Sequence, residues 1–296
     1  MAESLAVLGC GNMGEAILRA LLRDSAAAPR GVFAFDPNDS RSKALDDLRD
    51  LQWSARAADA VARADVVLLA VKPQSMAALL REIAPAANGR LVVSIAAGIT
   101  TEFIESQLAG ARVVRAMPNT PLLVGKGLVA LCPGASATGD DPGRARSLFP
   151  GATLLDVGEE QMDAVTAVSG SGPAYFYAFV EALAAAAQQQ GFDAETAGRL
   201  AAGTFIGAAA LLESAGTTAA ELRRRVTSPG GTTEAALKVF EDRQLDATVR
   251  AAVSAAVKRG QELATSPAMP PGGAAPGPTA PPGAPSTKGS ARPPRG

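Results

Sequence analysis

Between Ser4 and about Asp156, short apolar runs alternate with amphipathic stretches. The runs at 4–8 (SLAVL), 31–35 (GVFAF), 65–71 (DVVLLAV), 90–96 (RLVVSIA) and 112–117 (RVVRAM) have the length and apolar character of strands. Most of the segments between them repeat apolar residues every three or four positions, the helical period. Val66 to Val71 is apolar throughout, as expected of a strand covered on both faces of a parallel sheet. The alternation predicts an α/β, Rossmann-type, doubly wound domain over residues 1–162.

After about Gln161 the strand signal stops and alanine-rich helical pattern takes over near 174–190, 194–214 and 245–264. Pro173 suits a first helical turn, where its missing N–H has no intrahelical partner to lose. An all-α second domain is therefore expected over 163–265. The stretches FYAFVEALAAAA (176–187) and LAAGTFIGAAALL (200–212) are nonpolar around most of the helix, which calls for burial on all sides. Association between subunits supplies that cover, so this region reads as a dimerisation domain and the chain as a homodimer or larger homo-oligomer. Residues 266–296 are mostly Pro, Gly, Ala and small polar residues without a hydrophobic period, and are expected to form a disordered tail.

Charge and composition narrow the partners. A net charge of -1 and the lack of a sustained basic stripe argue against nucleic acid. Two cysteines and no histidine leave neither a disulfide framework nor an ordinary zinc constellation, so no metal is expected. No leader pattern and no apolar run of membrane-spanning length is visible, which predicts a cytoplasmic protein with no membrane partner.

The segment LAVLGCGNMGEAILRALL places Gly9, Gly11 and Gly14, with Cys10, Asn12 and Met13 between them, at the junction of a strand and a helix. The first glycine permits the tight turn, the second lets backbone approach a pyrophosphate, and the third lets helix and strand pack closely. Asp36 ends the next strand, where a carboxylate binds the adenosine ribose hydroxyls of NAD and repels the 2′-phosphate of NADP. Arg41 follows closely and suits that phosphate instead, so the residues admit both cofactors.

A nicotinamide enzyme usually handles a proton beside the hydride. With no histidine, a His–carboxylate pair is impossible, and Tyr175 and Tyr177 are not followed by lysine four residues on. No lysine lies between Gln161 and Leu237. A substrate that arrives already protonated, such as an iminium ion, meets this inventory.

At the motif level the chain resembles the pyrroline-5-carboxylate reductase family, over about residues 4–264. The resemblance rests on GCGNMG, LLAVKPQ (68–74), VSIAAGIT (93–100), RAMPNTP (115–121), SGSGPAY (169–175) and VTSPGGTT (226–233), in the family's order. It implies reduction of 1-pyrroline-5-carboxylate to L-proline, the last step of proline biosynthesis, with NADPH as the family's usual donor and NAD also possible. It further implies cofactor contacts from Gly9, Cys10, Gly11, Asn12, Met13, Gly14, Asp36, Val71, Lys72, Pro73, Ala97 and Asn119. Ser228, Gly230, Gly231, Thr232 and Thr233 become the substrate seat, with Thr233 orienting the ring nitrogen as the catalytic hydroxyl. Consecutive N–H groups at a helix start suit the substrate carboxylate. Each residue also has a plainer reading: Lys72 as a solvated strand cap, Asn119 as part of a rigid crossover, the Ser-Pro-Gly-Gly-Thr-Thr turn as a helix cap. Ala57 and Ala58 stand where members often carry a polar residue toward the adenosine, and simple counting places Gly216 where some carry an acid, so no acid is assigned there.

Overall fold

The computed structural model describes residues 3–23 and 28–265. The expected tail at 266–296 lies outside the described residues. The first part of the chain winds as β1 (Ser4–Leu8), α1 (Asn12–Arg23), β2 (Gly31–Phe35), α2 (Ser40–Ala44), β3 (Leu51–Trp53), α3 (Ala57–Ala62), β4 (Val66–Leu69), α4 (Pro73–Ala87), β5 (Leu91–Ser94), α5 (Thr101–Gln107) and β6 (Arg112–Pro118). It continues through β7 (Leu128–Pro133), α6 (Asp141–Arg146) and β8 (Thr153–Asp156).

These strands form one sheet in the order β3-β2-β1-β4-β5-β6-β7-β8, parallel except at the β6–β7 pair. Crossing from β3 to β6 in that order, the chain reverses direction of winding between β1 and β4, the switch point of a doubly wound sheet. Side-chain alternation builds a core on each face. Leu5, Val7, Val66 and Leu68 pack into one cluster with Ile17 and Leu21 of α1. Ala6, Leu8, Val67 and Leu69 pack into the other with Leu80 and Ile83 of α4. A strand that is apolar at every position is thus explained by helices on both sides. The α/β expectation is borne out, and the sheet gains β3, β7 and β8 beyond the five apolar runs. β3 is only three residues long and β8 is mostly exposed, so neither carries a strong hydropathy signal.

The remainder is helical: α7 (Met162–Val165), α8 (Gly172–Gln189), α9 (Ala194–Ser214), α10 (Ala219–Arg225), α11 (Thr232–Asp242) and α12 (Leu245–Thr265). Asp193 and Thr218 cap α9 and α10 by accepting from the Thr196 and Glu221 amides. Between α7 and α8, Thr166–Gly170 form a π turn closed by the Ser171 N–H on the Thr166 carbonyl at 2.8 Å. Gly170 packs against the Met117 side chain at the end of β6, whose terminal methyl a Cβ there would meet at 2.7 Å. This wide turn therefore brings the helical region against the end of the sheet. Large apolar side chains remain uncovered along α8 and α9, among them Phe176 at 55% and Ile206 at 66% exposure.

Candidate active site

The carboxyl ends of the parallel strands share one edge, where ligands of open α/β sheets bind. Gly9–Gly11 follow β1, Asp36 follows β2, Val71–Pro73 follow β4, Ala96–Gly98 follow β5, and Asn119 follows β6. The sheet thus brings all the candidate cofactor residues to one side.

Each glycine of the loop has a distinct steric reason. Gly9 has φ +98°, and a Cβ there would meet the Ala70 carbonyl carbon at 2.7 Å. A Cβ on Gly14 would lie 2.2 Å from the Gly9 carbonyl oxygen, so helix and strand touch backbone to backbone. A Cβ on Gly11 would meet nothing within 4 Å, and the residue is exposed. Packing does not explain that glycine, and the space above the loop is open. The first α1 bond runs from the Glu15 N–H to the Gly11 carbonyl at 2.8 Å, leaving the Asn12 and Met13 amides ahead of the helical ladder. Open space and helix-start amides together fit a pyrophosphate.

Charged side chains hold the loop from two directions. The Cys10 N–H donates to Asp36 Oδ2 at 2.7 Å, and the other carboxylate oxygen accepts from the Asn38 N–H at 2.9 Å. Arg41 Nε donates to the Cys10 carbonyl at 2.6 Å. The Cys10 thiol is pushed up to about 12 by burial first and then by the Asp36 carboxylate, so it stays protonated and is no nucleophile. Lys72 is exposed at the start of α4, and Pro73 occupies the first helical turn. The Ala57 and Ala58 amides at the start of α3 both donate to Glu82 Oε1, at 3.0 and 3.4 Å.

Asn119 links sheet and helices. Its Oδ1 accepts from the Leu128 N–H at 2.9 Å, while Nδ2 donates to the Ser169 hydroxyl at 3.1 Å. Its carboxamide thus makes one bond at each end and ties the end of β6 to the π turn, with one Nδ2 N–H left over. Beside it a cavity of about 370 Å³ is bounded by Asn119, Ser169, Pro173, Phe176, Tyr177 and Phe205. The Phe176 and Phe205 rings sit 5.5 Å apart. Ser169 and these aromatics were not assigned from sequence; the SGSGPAY motif contained the signal for Ser169, but Phe205 comes from a helix with no distinguishing pattern.

A buried ionic cluster supports the same strand end. Arg115 of β6 is 3% exposed and donates to Glu159 Oε1, while Glu159 Oε2 accepts from the Thr101 N–H at 3.1 Å and its hydroxyl at 2.7 Å. Burial acts to raise the Glu159 carboxyl, but the Thr101 donors and Arg115 outweigh it and hold the group below its ordinary range. No sequence pattern marked this pair.

The turn at 228–233 stands apart from the sheet edge. Ser228, Pro229, Gly230 and Thr232 are exposed, and Gly231 and Thr233 are half-buried. The bonds of the turn are local: the Gly231 N–H reaches the Ser228 carbonyl at 3.0 Å, and the Gly230 N–H reaches Glu234 Oε2 at 2.8 Å. Among the described residues no hydrogen bond or ion pair joins it to the sheet edge. Gly230 has φ +71°, which explains its place in the turn. Glu213 pairs with Lys126 at 2.6 Å and takes no part in the turn. No group of metal-binding side chains occurs among the described residues, and no single helix there is long and apolar enough to cross a membrane.

Sequence and structure comparisons match this arrangement. A family model described as pyrroline-5-carboxylate reductase dimerisation covers residues 159–263, and one described as NADP oxidoreductase, coenzyme F420-dependent, covers 4–98. The pyrroline-5-carboxylate reductase of Pseudomonas aeruginosa is 43% identical over 88% of this chain and 96% of its own length. The chain belongs to the pyrroline-5-carboxylate reductase family. Solved structures agree. The reductase of Coxiella burnetii superposes with a TM-score of 0.83 at 33% identity, covering 90% of this chain and 100% of that one. A Plasmodium falciparum pyrroline carboxylate reductase solved with NADP bound gives 0.79 at 26% identity, covering 89% and 98%. For a member of this family, the uncovered face of α8 and α9 belongs to the dimerisation region, and the chain is a homo-oligomer.

Proposed function

We propose that this reductase transfers hydride from NADPH to the C=N carbon of 1-pyrroline-5-carboxylate and releases L-proline. The observation that carries the reading is the loop at β1, where backbone contacts account for Gly9 and Gly14 while the space beside exposed Gly11 is open, as close approach of a pyrophosphate requires. In this reading residues 1–162 hold the nucleotide, and residues 163–265 provide the oligomer contact and the substrate seat.

Gly9, Cys10, Gly11, Asn12, Met13 and Gly14 surround the pyrophosphate, and Asp36 reaches the adenosine ribose. Val71, Lys72, Pro73 and Ala97 line the path toward the nicotinamide, with Asn119 fixing the strand end beside it. Bound NADPH would supply a hydride to the imine carbon, the C=N π pair moving to the nitrogen, which would keep the proton it brought. The protein then needs no general acid, in keeping with a chain without histidine. Its task is positioning and charge placement. Ser228, Gly230, Gly231 and Thr232 seat the carboxylate through the two hydroxyls and through the Gly230 N–H once Glu234 Oε2 is displaced from it, and Thr233 holds the ring nitrogen so that one face of the imine is presented. As the family resemblance implies, the seat serves the nucleotide edge of a second copy, and a dimer is the smallest complete form. A cytoplasmic location without nucleic-acid or membrane partners fits this chemistry. Consumption of NADPH on addition of the imine, with proline as product, tests the reading; nucleotide binding without turnover would overturn it.

A further inference from the structure

The adenosine end of the nucleotide edge carries an ion-pair chain that the hydride-transfer reading does not use. Glu15 of α1 sits between two arginines. Its Oε1 accepts from Arg19 Nε at 2.8 Å, and its Oε2 accepts from Arg41 Nη2 at 2.6 Å. Arg19 is in turn bound to Asp47 at 2.5 Å. Arg41 is further tied by Nε to the Cys10 carbonyl. Both Arg41 and Glu15 are about three-quarters covered, at 23% and 25% side-chain exposure, so their attraction is less screened than that of a surface pair. Hydrogen bonding from Arg19 first, and then from Arg41, holds the Glu15 carboxyl below its ordinary range, so it stays charged at neutral pH.

Arg41 is the first cation after the end of β2, where Rossmann proteins accept a 2′-phosphate, and Asp36 already places a carboxylate there. Arg41 is thus paired with the Glu15 carboxylate, while the Asp36 carboxylate binds the Cys10 and Asn38 amides beside it in the loop. The bonds to Glu15 and to the Cys10 carbonyl occupy two of the five Arg41 N–H donors and fix the direction of its guanidinium, so a bidentate grip on that phosphate is made in that fixed orientation or at the expense of one of the two bonds.

We infer that Glu15 is a specificity-determining residue that restrains Arg41 and lowers the preference of this reductase for a 2′-phosphorylated cofactor over its unphosphorylated counterpart. The inference rests on the proposed nucleotide site. Its test uses nucleotide fragments and no imine, so a chain that bound them but did not reduce the imine would overturn the hydride-transfer reading alone.

Calorimetric titration of the full-length protein with 2′,5′-ADP and with 5′-AMP isolates the 2′-phosphate. Glu15→Gln should raise the affinity ratio for 2′,5′-ADP over 5′-AMP by roughly three- to tenfold, the effect of releasing one partly covered ion pair. Glu15→Ala, made in case the amide disturbs α1, should move the ratio the same way. Asp47→Asn, which breaks only the outer pair, should leave it within about twofold. Adding Arg41→Ala to Glu15→Gln should remove the gain. An unchanged or reduced ratio in both Glu15 variants would overturn the inference and make Glu15 a residue that presents Arg41. An equal gain in Asp47→Asn, or a gain that survives loss of Arg41, would overturn it in favour of a general charge effect.

Discussion

The Asn119 carboxamide spans the gap between the end of β6 and the π turn, accepting from the Leu128 amide on one side and donating to the Ser169 hydroxyl on the other. Asn119→Ala removes both partners and leaves the Leu128 N–H unmatched, at a cost of about 1–3 kcal/mol. Asn119→Asp keeps the acceptor for Leu128, and Ser169 can reverse its hydroxyl and donate to the carboxylate. Thermal unfolding should therefore show a clear drop for the alanine variant and a smaller one for the aspartate variant; equal drops would mean that the Leu128 bond contributes little.

Gly11 and Gly14 should respond to the same methyl group in different ways. Gly14→Ala forces a Cβ to 2.2 Å from the Gly9 carbonyl, so the loop must move, with about 2–4 kcal/mol of destabilisation. Gly11→Ala meets no protein atom within 4 Å and should unfold within about 1 kcal/mol of the parent, yet lose at least tenfold in NADPH affinity. Unfolding curves paired with NADPH fluorescence titrations separate the two. Unimpaired NADPH binding by the Gly11 variant would remove the loop from the nucleotide site.

Thr233→Ala should lower kcat by roughly ten- to a hundredfold while the NADPH dissociation constant stays within about twofold, because a hydrogen bond to the ring nitrogen orients the imine and not the nucleotide. Equal losses in both quantities would assign Thr233 to the architecture of α11.

Arg115 and Glu159 predict an acid limb in the stability profile. The folded Glu159 carboxyl lies below its ordinary 4.5, so the charged form is favoured by folding. The resulting stabilisation is fully present above 4.5 and is lost as pH falls through the lowered folded value. Glu159→Gln should be less stable than the parent at pH 7, and the gap should close on acidification. Arg115→Met, which leaves Glu159 without its cation, should cost about 2–4 kcal/mol at pH 7. A gap that stays constant with pH would show that Glu159 is not titrating in this range.

Much of this was legible in the sequence for identifiable reasons. β1, β2, β4, β5 and β6 are buried and apolar at most positions, so hydropathy alone locates them. The Gly9–Gly14 loop is marked by spacing, since each glycine is fixed by a backbone requirement that only glycine meets or by the need for open space. What the sequence hid were relationships over long separations. Arg115 meets Glu159 across 44 residues, Asn119 meets Ser169 across 50, and Arg41 meets Glu15 across 26. None of these pairs belongs to a common element, so no period or motif joins them before the chain is folded. β3 escaped notice for the opposite reason, having too few residues to establish any alternation.

The bare aromatic and aliphatic flank of α8 and α9 ties heat tolerance to how much protein is in the tube. Phe176, Phe179, Leu200, Ile206 and Leu211 are between 45% and 66% exposed in one copy, so the cover they need arrives only by mass action. Each tenfold dilution should withdraw about 1.4 kcal/mol per mole of dimer, and the melting temperature should slide downward with it. Melting curves collected over a hundredfold dilution series should therefore form a ladder, and curves that coincide would mean that each copy stands alone.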